Sequence, residues 1–304
     1  MNLSACDELN KTLMLIVNPV AGRKLAQRKL AGMVRIFMEN GYRVTTFITR
    51  RRGDGSVFSK NFGADYDLIV CVGGDGTLSE TVAGALEGKV KTPIGYIPAG
   101  SSNDFAACHK IDLDIYTAAV NAARGTPKAV DAGCFNDRFF TYIAAFGAFS
   151  WLSYSTPQNL KNTFGRSAYI FDAMRDLTLI KPVHMRIDTG NKSYEGNYVF
   201  GAVSNVTGIS GVLKLPEKDV VTDDGLFEVI LVREPETIEE MGNVVTSIMN
   251  GDLKSEIIDY FHATKLSIET DESIDWSLDG EHAVSGKELR ITVCKKAVKI
   301  IMDK

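Results

Sequence analysis

Two glycine-rich segments hold the residues of this 304-residue chain that are best suited to bind a phosphate. The first reads Gly73-Gly74-Asp75-Gly76-Thr77, and the second reads Gly100-Ser101-Ser102-Asn103-Asp104. Each follows a short apolar run with the character of a β-strand. A glycine-rich turn between a strand and a helix exposes backbone N–H groups to an anion, and an embedded carboxylate adds a contact for magnesium. The two segments therefore predict a nucleotide-phosphate site.

The first segment is suited to cradle a phosphate. Its glycines permit close approach of the backbone, and Asp75 is a candidate metal-side carboxylate. Thr77 and Glu80 form a T-x-x-E pattern, which predicts a capping box at the start of the next helix. The alternative is a tight strand-to-helix turn that binds nothing. The second segment downstream favours the ligand-binding interpretation.

The second segment offers hydroxyls and polar groups. Ser101 or Ser102 can hydrogen-bond a phosphate, while Asn103 and Asp104 can fix the loop or reach a metal ion; the alternative is a cluster of N-capping residues. A third candidate, Asn18-Pro19-Val20-Ala21-Gly22, follows the first apolar run and is expected on the adenine or ribose side of a nucleotide. Alone it is a weak signal, because Asn-Pro is a common turn.

Carboxylates further along the chain are candidates for proton transfer, since phosphoryl transfer to an alcohol needs a base. The segment Leu278-Asp279-Gly280-Glu281 puts carboxylates on a tight turn, where a side chain can act as that base. The same letters also describe an ordinary hairpin turn. Asp131 lies in an apolar strand, where an unpaired charge is costly. We expect it to have a partner, either in a catalytic site or as a structural hydroxyl or backbone amide.

The order of elements predicts two different halves. Strand and helix alternate through about residue 125, with strands at 13–17, 43–49, 67–72 and 94–97 and a helix at 23–40, which predicts a parallel sheet covered by helices. Ligands bind such sheets at the carboxyl ends of the strands, where the glycine-rich segments lie. The second half is predicted to be antiparallel and β-rich, with strands at 129–134, 139–146, 183–188, 198–206, 227–232, 265–269 and 289–293 and helices near 164–180 and 237–250.

Composition excludes several classes of protein. Lysine and arginine number 34 against 38 acidic residues, and a net charge of −4 gives no electrostatic case for nucleic-acid binding. No apolar run reaches the roughly 18 residues of a membrane span, and the first nine residues lack the apolar core of a secretory signal. The five cysteines are scattered, so neither a disulfide framework nor a zinc site is predicted. We expect a cytoplasmic protein.

Four motifs, in this order, resemble the soluble bacterial diacylglycerol kinase and lipid kinase family. They are the segment 73–77, Pro98-Ala99-Gly100-Ser101-Ser102-Asn103-Asp104-Phe105, Asp224-Gly225-Leu226-Phe227 and Asp279-Gly280-Glu281. The first motif is shared with NAD kinases and phosphofructokinase-like enzymes, whereas the second favours lipid kinases. The resemblance implies an α/β nucleotide-binding domain with a Rossmann-like parallel sheet at 1–128, on which about 294–304 packs back, and a C-terminal β-sandwich lipid-substrate domain at 129–304.

The resemblance also implies functional residues. It gives Glu281 as the proton acceptor and Asp131 as the carboxylate coupled to it. A structural magnesium site is implied at Asp224, with backbone groups of Val221 and Leu226, while Asp75 and Asp104 are expected to engage magnesium on the phosphates. The resemblance also predicts contacts with the nucleotide, and the pattern of the second loop adds Asn103 to them. These residues are Asn18, Pro19, Val20, Ala21, Gly22, Thr49, Gly73, Gly74, Asp75, Gly76, Thr77, Leu78, Ser79, Ser101 and Asn103.

The implied reaction is ATP- and Mg²⁺-dependent phosphorylation of a lipid alcohol, with diacylglycerol giving phosphatidic acid. Because the acceptor resides in a bilayer, we expect peripheral membrane association. Trp151 and Tyr154 are candidates for lipid contact, with a place in the core or the site wall as the alternative. The run Arg50–Arg52 is predicted to be a solvated loop or a contact for a phosphate or lipid headgroup.

The alternatives in function are an NAD kinase and a catalytically silent nucleotide- or lipid-binding regulator. The sequence leaves a homodimer open.

Overall fold

The computed structural model describes residues 9–147, 181–209, 213–216 and 218–303. The chain divides into two compact units, Met1–Ala132 with Lys296–Lys304, and Gly133–Lys295. The division falls four residues beyond the predicted 128/129 boundary, which stays a prediction.

The first unit is an α/β domain built on a parallel sheet in the order β2-β1-β3-β4. The end of a long C-terminal strand, β17, adds to β4 in parallel, with Ile300 opposite Ile94. The elements are β1 (Lys11–Val17), α1 (Ala21–Glu39), β2 (Tyr42–Ile48), α2 (Asp54–Phe62), β3 (Leu68–Gly73), α3 (Asp75–Glu87), β4 (Ile94–Pro98), α4 (Asp104–Cys108), α5 (Ile115–Arg124) and β17 (Glu288–Met302). The predicted alternation of strand and helix is confirmed.

The sheet of the first unit is covered on both faces, which is why its strands are continuous apolar runs. In β1, the side chains from Leu13 to Ile16 are fully buried. Side chains alternate between the faces of a strand, and Leu13 and Leu15 share a cluster with Met33 and Phe37 of α1. Burial at this density holds the carboxyl ends of the strands, and the loops that leave them, in fixed positions.

The second unit is a β-rich sandwich domain whose described strand pairs are antiparallel. Strand β5 runs into it from the first unit, and β17 begins in it. The further elements are β5 (Thr126–Phe135), β6 (Arg138–Phe140), β7 (Ile143–Gly147), β8 (Val183–Asp188), β9 (Ser193–Ser204), β10 (Gly208–Ile209), β11 (Leu213–Lys214), β12 (Phe227–Arg233), α6 (Ile238–Asn250), β13 (Ile258–Ala263), β14 (Lys265–Thr270), β15 (Asp275–Leu278) and β16 (Glu281–Val284).

The second unit departs from the sequence prediction in two respects. The strand expected at 139–146 is interrupted at Thr141-Tyr142, so that β6 and β7 are separate. Strands β10, β11, β13, β15 and β16 were not predicted. The helix expected near 164–180 lies outside the described residues. The core of the unit gathers around Trp276, whose ring lies 4.9 Å from that of Phe146 and 5.3 Å from that of Phe135.

Candidate active site

Three loops meet at the carboxyl edge of the parallel sheet, after β1, β3 and β4. The side-chain amide of Asn18 donates to Thr77 Oγ1 at 3.2 Å, which joins the first loop to the second. The backbone N–H of Ala99 donates to the carbonyl of Gly73 at 2.7 Å, which joins the second loop to the third. The structure thus brings together the three segments from which the sequence predicts a phosphate site.

Glycines stand where these loops approach most closely. A Cβ added at Gly100 would lie 2.5 Å from the Cα of Gly74, and one added at Gly22 would lie 2.5 Å from the carbonyl oxygen of Ala99. Gly22 also has a φ of +56°, in the left-handed region that favours glycine. A side chain at either position would force the loops apart, so the backbone contact itself requires the glycines.

The start of α3 corrects one prediction. Its N-cap is Gly74, in extended conformation with φ −88°, and within the described structure no side chain caps it. The capping box of Thr77 and Glu80 is therefore wrong, because Thr77 is already the third residue of the helix. The carboxylate of Glu80 instead accepts the backbone N–H groups of Gly53, at 2.8 Å, and Gly55, at 3.1 Å. It holds the start of α2 rather than of its own helix.

Gly76 lies in the first turn of α3 and is exposed. A Cβ added there would meet no atom of the described residues within 4 Å. This open space adjoins the N-terminal end of a 13-residue helix, where unpaired N–H groups and the helix dipole favour an anion. The arrangement is suited to bind an anion such as phosphate.

Asp75 ties the first glycine-rich loop to the second. Its carboxylate accepts the backbone N–H of Asp104 at 3.0 Å and that of Phe105 at 3.3 Å. The hydroxyl of Tyr96 is buried, and this burial, with Asp75 nearby, raises its pKa. Carboxylate oxygens are donors that magnesium prefers, so Asp75 stays a candidate metal ligand.

The second loop divides its polar residues between two tasks. Asn103 is buried with φ +53°, and its side chain accepts the N–H of Gly100 at 2.9 Å and donates to the carbonyl of Gly100 at 3.1 Å. Asn103 thus closes the loop on itself, which is one of the two roles expected for it. Ser101 and Ser102 are exposed at the loop tip, where their hydroxyls can reach a ligand.

Thr49 and the arginine run extend the same edge. The N–H of Thr49 donates to the carbonyl of Val17 at 2.9 Å, which fixes the end of β2 beside β1. Asp54 accepts the N–H groups of Arg50, at 2.8 Å, and Arg51, at 3.1 Å, and the hydrogen bond from Arg50 is the main cause of its lowered pKa. The three arginine side chains are exposed, in accord with a solvated loop.

Asp131 is fully buried in β5 and has a backbone partner. Its Oδ1 accepts the N–H of Lys296 at 2.6 Å. Lys296 has a φ of +52° and marks an irregularity in the middle of β17. Of the partners expected for Asp131, the structure therefore provides a backbone amide.

The Asp-Gly-Glu segment forms the turn between β15 and β16. Asp279 and Gly280 both have positive φ, at +49° and +87°, as a two-residue hairpin turn of this hand requires. Glu281 is the first residue of β16 and is partly exposed. His282 follows with Nε2 2.9 Å from Asp275 Oδ1, and both side chains are exposed. The turn thus presents the Glu281 carboxylate at the end of a hairpin.

The predicted structural metal site is a turn of oxygen donors. Asp224 Oδ1 accepts the N–H of Leu226 at 2.8 Å, and Gly225 between them has a φ of +88°. The second carboxylate oxygen and backbone carbonyls such as that of Val221 are the donors that magnesium prefers. In the described part of the chain, no group of three His, Cys, Asp or Glu side chains converges in metal-binding geometry, so such a site would depend on backbone oxygens.

A buried glutamate beside this turn was missed. Glu228 on β12 is 1% exposed, and burial, with Asp224 and Asp219 nearby, raises its pKa to about 8. His262 on β13 lies opposite, with Nε2 3.8 Å from Glu228 Oε1. The signal was available, because Glu228 interrupts an apolar run in the same way as Asp131. The expected lipid-contact residues Trp151 and Tyr154 lie outside the described residues.

Comparisons with known proteins agree with this arrangement. Residues 12–135 match the model of the diacylglycerol kinase catalytic domain, and residues 153–302 match the YegS C-terminal NAD kinase beta sandwich-like domain. The chain is 30% identical over 275 residues to diacylglycerol kinase of Bacillus subtilis (strain 168), covering 90% of each chain. It is 31% identical over 276 residues to diacylglycerol kinase of Staphylococcus haemolyticus (strain JCSC1435), covering 90% of this chain and 83% of the relative.

A solved structure shares the fold over nearly the whole chain. The crystal structure of a diacylglycerol kinase from Bacillus anthracis str. Sterne matches with a TM-score of 0.76 at 22% identity, covering 96% of this chain and 97% of that one. The predicted fold class, an α/β domain followed by a β-rich sandwich domain, is confirmed. Among the described helices, none combines the length and apolar character needed to cross a bilayer.

Proposed function

The chain belongs to the diacylglycerol kinase family, and on this premise we propose that it transfers the γ-phosphate of ATP to the hydroxyl of diacylglycerol, giving phosphatidic acid. The observation that carries the proposal is the convergence of the three loops, with glycines at their closest approach and open space over Gly76. Membership of the family makes the chain a lipid kinase. The choice of diacylglycerol rests on the names of the relatives to which this chain is similar.

The nucleotide binds, in this proposal, at the carboxyl edge of the parallel sheet. The phosphates lie against the N-terminal turn of α3, where Gly76 leaves room, and Ser101 donates its hydroxyl from the facing loop. Segment 18–22 and Thr49 line the rest of the nucleotide. The tie between Asp75 and the second loop keeps the phosphate-facing amides in place before ATP arrives, so that little ordering is needed on binding.

Glu281 is the proposed general base. It accepts the proton of the lipid hydroxyl as the oxygen attacks the γ-phosphate, while the bond between that phosphorus and the β,γ-bridging oxygen breaks and ADP leaves. Its place directly after a two-residue turn presents the carboxylate without burying it. Asp131, held by the amide of Lys296, is proposed to fix the electrostatic setting of Glu281.

Magnesium fits two sets of oxygen donors in this chain. Asp75 and Asp104 are the proposed carboxylates on the phosphate side, and Asp224 with backbone groups of Val221 and Leu226 is the proposed structural site. When bound to the phosphates, magnesium offsets the charge that develops during transfer. Association with the membrane surface is proposed to be peripheral, because the acceptor resides in the bilayer and the described helices do not span one.

The test is transfer of label from [γ-³²P]ATP to a panel of lipid alcohols in mixed micelles, with NAD in a parallel reaction. Labelled phosphatidic acid, formed by the wild type and by the control Glu288→Gln but not by Glu281→Gln, is the expected result. Glu288 is an exposed carboxylate at the start of β17 and is not among the predicted site residues. Label in another lipid would reassign the acceptor, and label in NADP would favour the NAD kinase alternative. ATP binding without any transfer would indicate a silent regulator.

A further inference from the structure

Asp279 precedes the proposed base by two residues, and its carboxylate is almost completely buried, at 3% exposure. We infer that Asp279 is a positioning residue that fixes the turn next to this base, an inference that rests on the proposed role of Glu281. The sequence alone shows Asp279 as one of two carboxylates on a tight turn. The contacts of its side chain go well beyond what a turn requires.

The Asp279 carboxylate accepts three consecutive backbone N–H groups. Thr141 donates to Oδ2 at 2.5 Å, while Tyr142 and Ile143 donate to Oδ1 at 2.9 and 3.0 Å. The first two amides lie in the break between β6 and β7 and the third begins β7, so the carboxylate supplies acceptors across the break. The N–H of Asp279 returns a hydrogen bond to the carbonyl of Ile143 at 2.9 Å. Four hydrogen bonds therefore lock the turn to one short segment.

A second contact holds the other side of Glu281 to the same region. Arg138 on β6 donates from Nη1 to the carbonyl of His282 at 3.1 Å. Glu281 thus stands between two anchored neighbours, and both anchors come from residues 138–143. This arrangement restricts the backbone of Glu281 while leaving its side chain partly exposed.

The geometry requires a carboxylate at position 279. Three donors share two acceptor oxygens, and an asparagine would offer one oxygen and turn its NH₂ group towards at least one of the amides. Such a mismatch shifts the turn rather than removing it. Since a displacement of about 1 Å can cost a reaction on the order of 100-fold, the shift is expected to appear in the chemical step.

The experiment compares Asp279→Asn in the wild-type and Glu281→Gln backgrounds, with steady-state transfer of label from [γ-³²P]ATP to diacylglycerol as the readout, which gives both kcat and KM. In the wild-type background kcat should fall about 10- to 100-fold, with KM for ATP unchanged. In the Glu281→Gln background, Asp279→Asn should cause no further loss, because a residue that acts through Glu281 has nothing left to position. An equal loss in both backgrounds, a change confined to KM, or an unchanged kcat would overturn the inference.

Two further variants keep the test decisive. Arg138→Met removes the hydrogen bond from the exposed Arg138 to the carbonyl of His282. It should lower kcat by a smaller factor in the wild-type background and cause no loss in the Glu281→Gln background. This variant tests the inference if Asp279→Asn does not fold. Asp114→Asn is the matched control, since Asp114 accepts the amides of Tyr116 and Thr117 at the start of α5; kcat should not change. If Glu281→Gln itself retains full activity, the proposed base fails, whereas loss in Glu281→Gln without loss in Asp279→Asn refutes only the present inference.

Discussion

The carboxylate of Asp75, in the first glycine-rich loop, accepts the backbone N–H of Asp104, at the start of the helix that follows the second loop, at 3.0 Å. Residues 29 positions apart are thereby joined at the edge of the sheet. Their loops also touch through the backbone, where Gly74 and Gly100 face each other. The site is consequently one connected structure before any nucleotide binds.

Replacement of Asp75 should weaken ATP binding and also loosen the fold. Asp75→Ala leaves the amides of Asp104 and Phe105 without their acceptor, which typically costs about 1–3 kcal/mol for a buried donor. Asp75→Asn keeps one acceptor oxygen, so its ATP affinity and its stability should lie between those of the wild type and those of Asp75→Ala. Calorimetric titration with ATP and a thermal melt measure both effects. Asp65→Ala, at an exposed turn, is the control; wild-type ATP affinity in Asp75→Ala would refute the proposed role.

Two glycine-to-alanine substitutions should separate loop packing from ligand space. Gly76→Ala adds a Cβ into open space within a helix, so stability should hold or rise by up to about 1 kcal/mol, while ATP binding weakens because the methyl group occupies the proposed phosphate position. Gly100→Ala forces a Cβ to within 2.5 Å of the Cα of Gly74 and should lower the melting temperature even without nucleotide.

Thermal melts and ATP titrations of both variants decide the matter. If Gly76→Ala binds ATP as tightly as the wild type, the phosphates do not lie against this turn. If Gly100→Ala has the same melting temperature as the wild type, the close approach of the loops does not constrain the fold.

Much of the first unit was predictable because its signals are local. Apolar runs that end at glycine, such as Leu68–Val72, locate both a strand and the loop after it. The role of Glu80 was not predictable, because its carboxylate reaches amides 25 and 27 residues earlier in the chain. The local pattern predicted that Glu80 caps its own helix, whereas in the structure its carboxylate bonds to Gly53 and Gly55 instead.

In the second unit the missed features depend on pairing between distant strands. Strand β15 is only four residues long and is defined by its partners β7 and β16. The interruption at Thr141-Tyr142 exists because Asp279, more than 130 residues later, accepts the amides there. Turn propensity located the Asp-Gly-Glu hairpin correctly, but only the folded chain reveals what its aspartate holds.

His109 should make the protein less stable in acid. Burial, with Lys128 as a further cause, lowers its pKa from 6.5 to about 4. The unfolded chain therefore binds a proton at a higher pH than the folded chain, and stability falls as the pH drops from about 6.5 to about 4, by at most about 3 kcal/mol. The neutral ring packs against Phe105, with 4.2 Å between ring centroids.

Melting temperatures at pH 7 and pH 5 test this prediction. His109→Phe should keep the ring contact and reduce the difference between the two pH values. The control His184→Gln removes an exposed histidine and should leave the difference as in the wild type. If the difference in melting temperature between pH 7 and pH 5 is the same in His109→Phe as in the wild type, groups other than His109 cause the sensitivity to acid.

Glu228 should have the opposite effect, at alkaline pH. Because burial raises its pKa to about 8, the folded protein retains a proton that the unfolded chain loses near pH 4.5. The stabilisation is complete below about pH 4.5 and is lost as the pH rises through about 8. Glu228→Gln mimics the protonated acid, so in the presence of EDTA its melting temperature should exceed that of the wild type at pH 9 and equal it at pH 5. The exposed control Glu269→Gln should follow the wild type at both values; a lower melting temperature of Glu228→Gln at pH 9 would contradict the prediction.

The most direct test of the central claim is a single turnover in which enzyme already bound to [γ-³²P]ATP is mixed with diacylglycerol micelles, for the wild type and Glu281→Gln. The wild type should convert the bound label to phosphatidic acid. Glu281→Gln should bind ATP with the same affinity and transfer it about 100- to 10,000-fold more slowly, which is the usual worth of a general base. Transfer by Glu281→Gln at the wild-type rate would contradict the assignment of the base. An absence of labelled lipid in the wild-type reaction would contradict the proposed acceptor.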